Sequence, residues 1–247
     1  MKNILLILFF LPFFVFGQND KEADKLAAYL NLQSKDTLFS MAIKEITRAA
    51  IFIDTDSKKY SEDIELSLNY AIEILDFYQV KYGKDAKSHW WKGLAIFYFD
   101  DYSDAIIEFS SAIIFEPNGF NNYSMRADCK KRLSDFYGAL GDYKKSISLA
   151  PKDYEDLHKL YAEKGECLIE IALLEDVNQD LLNEALLSFE KAISLKEEYG
   201  YYHYKKGAIL GMKGDNKSAC LSLSRAGELG YTKAYETIQR NCVSRKD

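Results

Sequence analysis

Histidine is the side chain best suited to proton transfer near neutral pH, and this chain of 247 residues has only three. His89 and His203 each stand four residues before a glycine, Gly93 or Gly207, and so share a helical face with it. We expect these two rings to pack rather than to bind a ligand. His158 opens a predicted helix, and we expect it at the surface. The histidines therefore predict neither a catalytic nor a metal site.

Two other segments contain ligand-type residues, but neither has the pattern that its chemistry requires. In DTDSKKYSEDIE, Asp54, Asp56 and Glu65 fit a calcium loop, yet lysines replace the third ligand and the turn glycine. GMKGDNKS lacks the adjacent Gly–Lys of a phosphate loop, and neither G-x-S-x-G nor H-E-x-x-H occurs anywhere. The sequence thus predicts a protein with no catalytic residue, no metal ligand and no cofactor.

The four cysteines do not form a CxxC pair, so the sequence predicts neither a redox motif of that type nor a zinc knuckle. Cys129 and Cys167 each lie two residues after a small residue in a predicted helix, and we expect both in the core. Cys220 and Cys242 lie near the C-terminus. A disulfide between them would tie the end of the chain to the preceding helix, but sequence alone leaves the bridge open.

The N-terminus resembles a secretory signal peptide. Lys2 precedes the apolar run ILLILFFLPFFVF, and Gly17 offers a small residue before a polar segment. We predict that residues 1–17 are removed, which leaves no stable membrane span and places the protein in the periplasm or outside a bacterial cell. An uncleaved anchor is the alternative.

Composition restricts the remaining classes of protein. A hydrophobic fraction of 48% is too high for a disordered chain, and only three prolines interrupt it, so we predict a mostly helical fold. The net charge is −6 and no Lys/Arg stripe is present, so we expect no nucleic acid partner.

A repeat of 34 residues organises the chain from residue 86 to residue 233. Ala105, Phe109 and Pro117 recur as Ala139, Tyr143 and Pro151. The units are 86–119, 120–153, 158–199 with an insertion of about eight residues, and 200–233. The positions expected to pack between helices are Gly93, Ala127, Gly165 and Gly207 in the first helices, and Ala105, Phe109, Ala112, Ala139, Tyr143, Ala185, Phe189, Ala192, Ala219 and Ala226 in the second.

Small and large residues at these offsets share one helical face, which allows a second helix to approach closely. The pattern resembles the tetratricopeptide repeat (TPR) family, which implies an all-α, right-handed α-solenoid of stacked helix-turn-helix repeats. Residues 18–85 then hold N-terminal helices and a degenerate first repeat, and residues 234–247 a capping helix and tail. We expect about twelve helices in a single domain.

In the TPR family the first helices line a concave groove, so the resemblance implies a protein-binding surface there. The groove candidates are Trp90, Leu94, Phe97, Tyr98, Asp128, Lys131, Arg132, Lys159, Glu166, Tyr201 and Tyr204. Alternatively, helix 19–33 folds over Trp90 and makes its surroundings core. Because Trp90 and Leu94 stand where some members carry a Lys–Asn clamp for C-terminal carboxylates, that activity is not expected.

These observations favour an exported, non-enzymatic scaffold that binds a peptide or partner protein in its groove. A structural subunit of a cell-envelope secretion or assembly complex is the alternative, and an unrecognised enzyme is the least favoured hypothesis.

Overall fold

The computed structural model describes residues 20–55 and 62–243, in which all regular elements are helices. The helices are α1 (Asp20–Asn31), α2 (Lys35–Thr55), α3 (Glu62–Tyr82), α4 (Ala86–Tyr98), α5 (Tyr102–Phe115), α6 (Phe120–Arg132), α7 (Phe136–Leu149), α8 (Leu157–Leu174), α9 (Gln179–Leu195), α10 (Gly200–Met212), α11 (Asn216–Glu228) and α12 (Lys233–Ile238), followed by a π-helix (Gln239–Val243). The predicted signal peptide and residues 56–61 of the calcium-loop-like segment lie outside the described residues.

Consecutive helices pack as hairpins, from α2 with α3 through α10 with α11. The prediction of an all-α fold of stacked TPR-like hairpins is therefore confirmed. By its internal contacts the chain divides into two compact units. Unit 1 ends at Pro117, which follows α5, and unit 2 begins at Asn118.

The glycines of the first helices lie directly against large side chains of the second helices. A Cβ added at Gly165 would lie 2.6 Å from Cε2 of Phe189, and one at Gly93 would lie 3.0 Å from Cε1 of Phe109. The alanines predicted to pack between helices are all buried, with 5% exposure or less. Small residues at these positions thus let each pair of helices approach while one bulky side chain fills the remaining space.

Aspartates start three of the second helices. The side chains of Asp101, Asp135 and Asp215 accept hydrogen bonds from backbone N–H groups three residues later, over 2.9–3.2 Å. The residue before each aspartate has positive φ, and these residues are Asp100, Ser134 and Gly214. This repeated turn fixes the direction in which each second helix leaves the first.

The insertion in the third repeat lengthens both of its helices. Helix α8 has 18 residues and α9 has 17, whereas α6 and α7 have 13 and 14. The sequence predicted a longer first helix or turn, and did not predict the longer second helix. The apolar pattern of LLNEALLSF continues through the inserted residues, and Leu182 is fully buried.

Candidate peptide-binding face

The groove candidates divide between the two units. Trp90, Leu94, Phe97 and Tyr98 lie on α4 of unit 1. The other seven lie on the first helices of unit 2, which are α6, α8 and α10. We call these seven residues the first-helix face: Asp128, Lys131, Arg132, Lys159, Glu166, Tyr201 and Tyr204.

Polar contacts join the three helices that carry the first-helix face. Lys131 of α6 forms an ion pair with Glu163 of α8. On the neighbouring turn of α8, Glu166 Oε1 accepts a hydrogen bond from the Tyr201 hydroxyl at 2.5 Å, and Glu166 Oε2 lies 2.6 Å from Lys205 Nζ. Each contact joins one repeat to the next, so ion pairs and a hydrogen bond hold the face in place in addition to the hydrophobic core.

Asp128 is the most strongly perturbed carboxyl group on the face. Burial raises its pKa to about 6, although a hydrogen bond donated by the Tyr143 hydroxyl favours the charged form. Tyr143 is fully buried beneath it, and burial also raises the pKa of that phenol. The repeat-packing tyrosine therefore also positions a side chain of the first-helix face.

Three half-buried tyrosines form the aromatic end of the face. The Tyr231 ring lies 4.9 Å from the Tyr204 ring and 5.7 Å from the Tyr201 ring, between centroids. Lys205 Nζ lies 5.6 Å from the centre of the Tyr201 ring. We call Tyr201, Tyr204 and Tyr231 the tyrosine cluster. Tyr231 was not among the candidates, because it belongs to the turn after α11 and not to a first helix.

Lys159 and Arg132 lie at the exposed border of the face. Lys159 Nζ lies 2.8 Å from Asp156 Oδ1, one helical turn away, and Arg132 ends α6. An exposed ion pair of this kind contributes little to stability, so Lys159 can exchange its partner at small cost.

The candidates in unit 1 serve partly as core. Leu94 and Tyr98 pack against the cluster that contains Leu30 of α1, and so does Trp91, which was not a candidate. The Trp90 ring stands edge-on to Trp91 with centroids 4.9 Å apart, and Phe97 contacts Tyr98 in the same way at 6.0 Å. Thus Leu94 and Tyr98 are held in the unit 1 core packing.

The expectation that His158 lies at the surface is wrong. The residue is 4% exposed, and its Nδ1 lies 2.6 Å from the Tyr202 hydroxyl of α10. Stacking of the next hairpin covers the start of α8, and burial lowers the pKa of the imidazole. His89 is also buried, with Nδ1 2.6 Å from Glu108 Oε2, whereas His203 Nε2 contacts the Glu197 carbonyl at 3.0 Å.

Two of the four cysteines are bonded to each other and two are free. Cys220 and Cys242 are joined by a disulfide with their Cα atoms 5.9 Å apart. Cys129 and Cys167 are free and buried, and burial raises the pKa of each thiol to about 12. Within residues 20–55 and 62–243, no three His, Cys, Asp or Glu side chains are grouped to hold a metal ion. No helix there is both long and apolar enough to cross a bilayer.

The stacked hairpins define a TPR-like fold, and comparison with known proteins agrees. Tetratricopeptide repeat protein 16 of Macaca fascicularis is 29% identical to this chain over 127 residues, which are 50% of this chain but 13% of that protein. No family model matches the chain.

Solved structures show the same architecture. MamA of Desulfovibrio magneticus RS-1 superposes with a TM-score of 0.59 at 18% identity, covering 78% of this chain and 96% of that one. YrrB, described as a TPR protein with an unusual peptide-binding site, gives a TM-score of 0.60 at 17% identity, covering 80% and 92%. At such identities the likeness shows the fold alone.

Proposed function

We propose that this chain is an exported, non-enzymatic scaffold whose first-helix face binds a peptide or a partner protein. The observation that carries the proposal is the tyrosine cluster, in which three half-buried rings lie beside charged groups held by ion pairs. Partly exposed tyrosines supply contact area at a small entropic cost and are enriched among the residues that dominate binding energy.

The polar part of the face supports recognition of an extended chain. Glu166 is held by Tyr201 and Lys205, and Lys131 by Glu163, so these groups do not need to reorganise when a ligand arrives. Each lysine ammonium carries three N–H donors, so the ion pairs of Lys131 and Lys205 leave donors for a ligand. The backbone carbonyl oxygens of a bound peptide can accept hydrogen bonds from these ammonium groups.

Export is proposed on two observations. The N-terminal sequence has the charged, apolar and small-residue order of a signal peptide, and the disulfide between Cys220 and Cys242 is of the kind that persists in oxidising compartments. Fractionation of cells followed by N-terminal sequencing tests this. The expected mature protein starts at Gln18 and is found outside the cytoplasm, whereas a cytoplasmic protein that retains Met1 would refute export.

Binding is tested by affinity capture with matched variants. The tagged full chain is compared with Tyr204→Ala on the face and Leu187→Ala, which changes a 65% exposed leucine of α9. The proposal expects a partner that the wild type and Leu187→Ala retain equally and that Tyr204→Ala loses about tenfold or more, as for a contact worth about 1.4 kcal/mol. Equal retention by all three proteins contradicts it.

A structural subunit of an envelope complex is the second candidate. It is favoured by exposed leucines on the second helices, since Leu187 and Leu221 are 65% and 66% exposed. This candidate predicts a protein found only in a large assembly, which Leu187→Ser with Leu221→Ser disrupts and Tyr204→Ala does not. Size-exclusion chromatography of cell extracts separates the two outcomes.

A further inference from the structure

The last segment of the described chain is too short to be a stable helix alone. We call residues 233–243, which comprise α12 and the π-helix, the C-terminal cap. Helix α12 has six residues, and isolated helices of this length are not stable in water. The cap must therefore be held by contacts with α11, the helix on which it packs.

Non-covalent contacts bury the cap most fully at its start. Ala234 is fully buried, and the ring of Tyr235 lies against Gly227, where an added Cβ would come within 2.9 Å of the ring. Farther along, Gln239, Arg240 and Asn241 are exposed. The apolar area that the cap buries is thus small beside that of the hairpins, which predicts a marginal element.

The disulfide closes the other end of the cap. Cys242 lies in the π-helix and Cys220 in α11, at a sequence separation of 22. A cross-link over such a loop removes much of the entropy that the cap would gain by detaching. Both sulfur-bearing residues are half-buried, so a small thiol can reach them, whereas Cys129 and Cys167 are fully buried.

The same covalent loop contains Tyr231 of the tyrosine cluster. The backbone N–H of Tyr231 donates to the Ala226 carbonyl at 3.0 Å, and Gly230 before it has a φ of 86°. This turn connects α11 to the cap, so the position of the Tyr231 ring against Tyr201 and Tyr204 depends on where the cap begins.

We propose that the disulfide is a redox-controlled latch for the C-terminal cap and, through Tyr231, for the tyrosine cluster. When the bond is intact, the cap stays on α11 and the cluster is ordered. When a dithiol such as dithiothreitol reduces it, the S–S bond breaks, Cys220 and Cys242 each become thiols, and the dithiol is oxidised to its cyclic disulfide. The cap then detaches and Tyr231 leaves its two neighbours. The effect on partner binding rests on the proposed function, but the structural change does not.

Hydrogen–deuterium exchange of the full chain tests the latch without any ligand. The oxidised protein is compared with the reduced protein and with the Cys220→Ser/Cys242→Ser variant, and Leu221→Ala, at a 66% exposed position of α11, serves as the control. We expect amide exchange in residues 231–243 to rise by roughly a hundredfold on reduction and in the double variant, as for opening a loop of this length. Exchange in α8 and α9 should stay within about twofold.

Three results would overturn the latch. One is equal exchange of the cap in the oxidised and reduced proteins. Another is faster exchange throughout unit 2, because the bond would then hold the whole unit and not the cap. The third is alkylation of all four cysteines in denaturant without reductant, which would mean that the bond is not formed. The capture experiment with Tyr204→Ala tests the proposed function separately, so either proposal can fail alone.

Discussion

Two glycines on one helix provide a sharp test of how the hairpins pack. Gly207 and Gly211 both lie in α10, one turn apart. A Cβ added at Gly207 would lie 2.9 Å from Leu223 Cγ and 3.0 Å from the Ala219 carbonyl oxygen, whereas at Gly211 the nearest atom, Ala219 Cβ, is 4.0 Å away. Substitution by alanine adds the same methyl group to the same helix at both sites.

The expected effects have opposite signs. Alanine favours a helix over glycine by about 1 kcal/mol, and this gain applies at both positions. Overpacking costs about 1–3 kcal/mol, and at Gly207 it cannot be relieved easily because one contact is backbone and the other is a branch carbon. We therefore expect Gly211→Ala to stabilise unit 2 by about 0.5–1 kcal/mol, and Gly207→Ala to destabilise it by about 1 kcal/mol.

Urea denaturation followed by circular dichroism at 222 nm measures the difference, with the two units fitted as separate transitions. The oxidised protein is used throughout so that the disulfide is constant. A Gly207→Ala variant as stable as Gly211→Ala would refute the close approach of α10 and α11. Gly141→Ala on α7, where an added Cβ meets nothing within 4 Å, is a further control.

Three further predictions follow from buried polar groups. Burial raises the folded-state pKa of Asp128 to about 6 from 3.8, so between about pH 4 and 6 the folded protein keeps a proton that the unfolded chain loses, and this group lowers stability as the pH rises. The urea midpoint of Asp128→Asn should therefore be higher than that of the wild type at pH 7 but not at pH 4. A difference that is independent of pH would contradict this. Tyr202→Phe removes the hydroxyl partner of His158 Nδ1 and should lower the free energy of unfolding by about 1–2 kcal/mol, while Tyr204→Phe should change it by less than about 0.5 kcal/mol. Alkylation of the oxidised native protein should modify no cysteine within minutes, because Cys129 and Cys167 are buried and each thiol has a pKa of about 12. In urea both thiols should become accessible and react. Rapid labelling of either thiol in the native protein would refute their burial.

The repeat could be predicted because residues of similar size recur at fixed offsets along the chain. Ala105, Ala139, Ala185 and Ala219 recur at one position of the second helices, and the structure buries each of them. Such periodicity reports which face of a helix meets its own hairpin partner. The repeat also indicated that Cys220 and Cys242 could pair, because Cys220 falls on the last repeat helix and Cys242 on the segment that follows that helix.

Contacts between different repeats could not be predicted in the same way. His158 looked like a surface residue because its own hairpin leaves it open, and only Tyr202 of the next hairpin buries it. Tyr231 joins the tyrosine cluster through a turn, where no helical spacing applies. For Leu94 and Tyr98 the sequence left both a groove and a core position open, and the structure shows that they pack against the core of unit 1. In each case the deciding neighbour lies in a different element, and its distance in sequence carries no periodic signal.

Site-specific photo-crosslinking in cells tests the central claim of a binding face most directly. p-Benzoylphenylalanine is placed either at Tyr204, in the tyrosine cluster, or at Leu221, which is 66% exposed on α11. A partner bound at the first-helix face predicts a discrete crosslinked species from position 204 and none of the same mass from position 221. Identical crosslinking from both positions, or crosslinking from position 221 alone, would contradict the account.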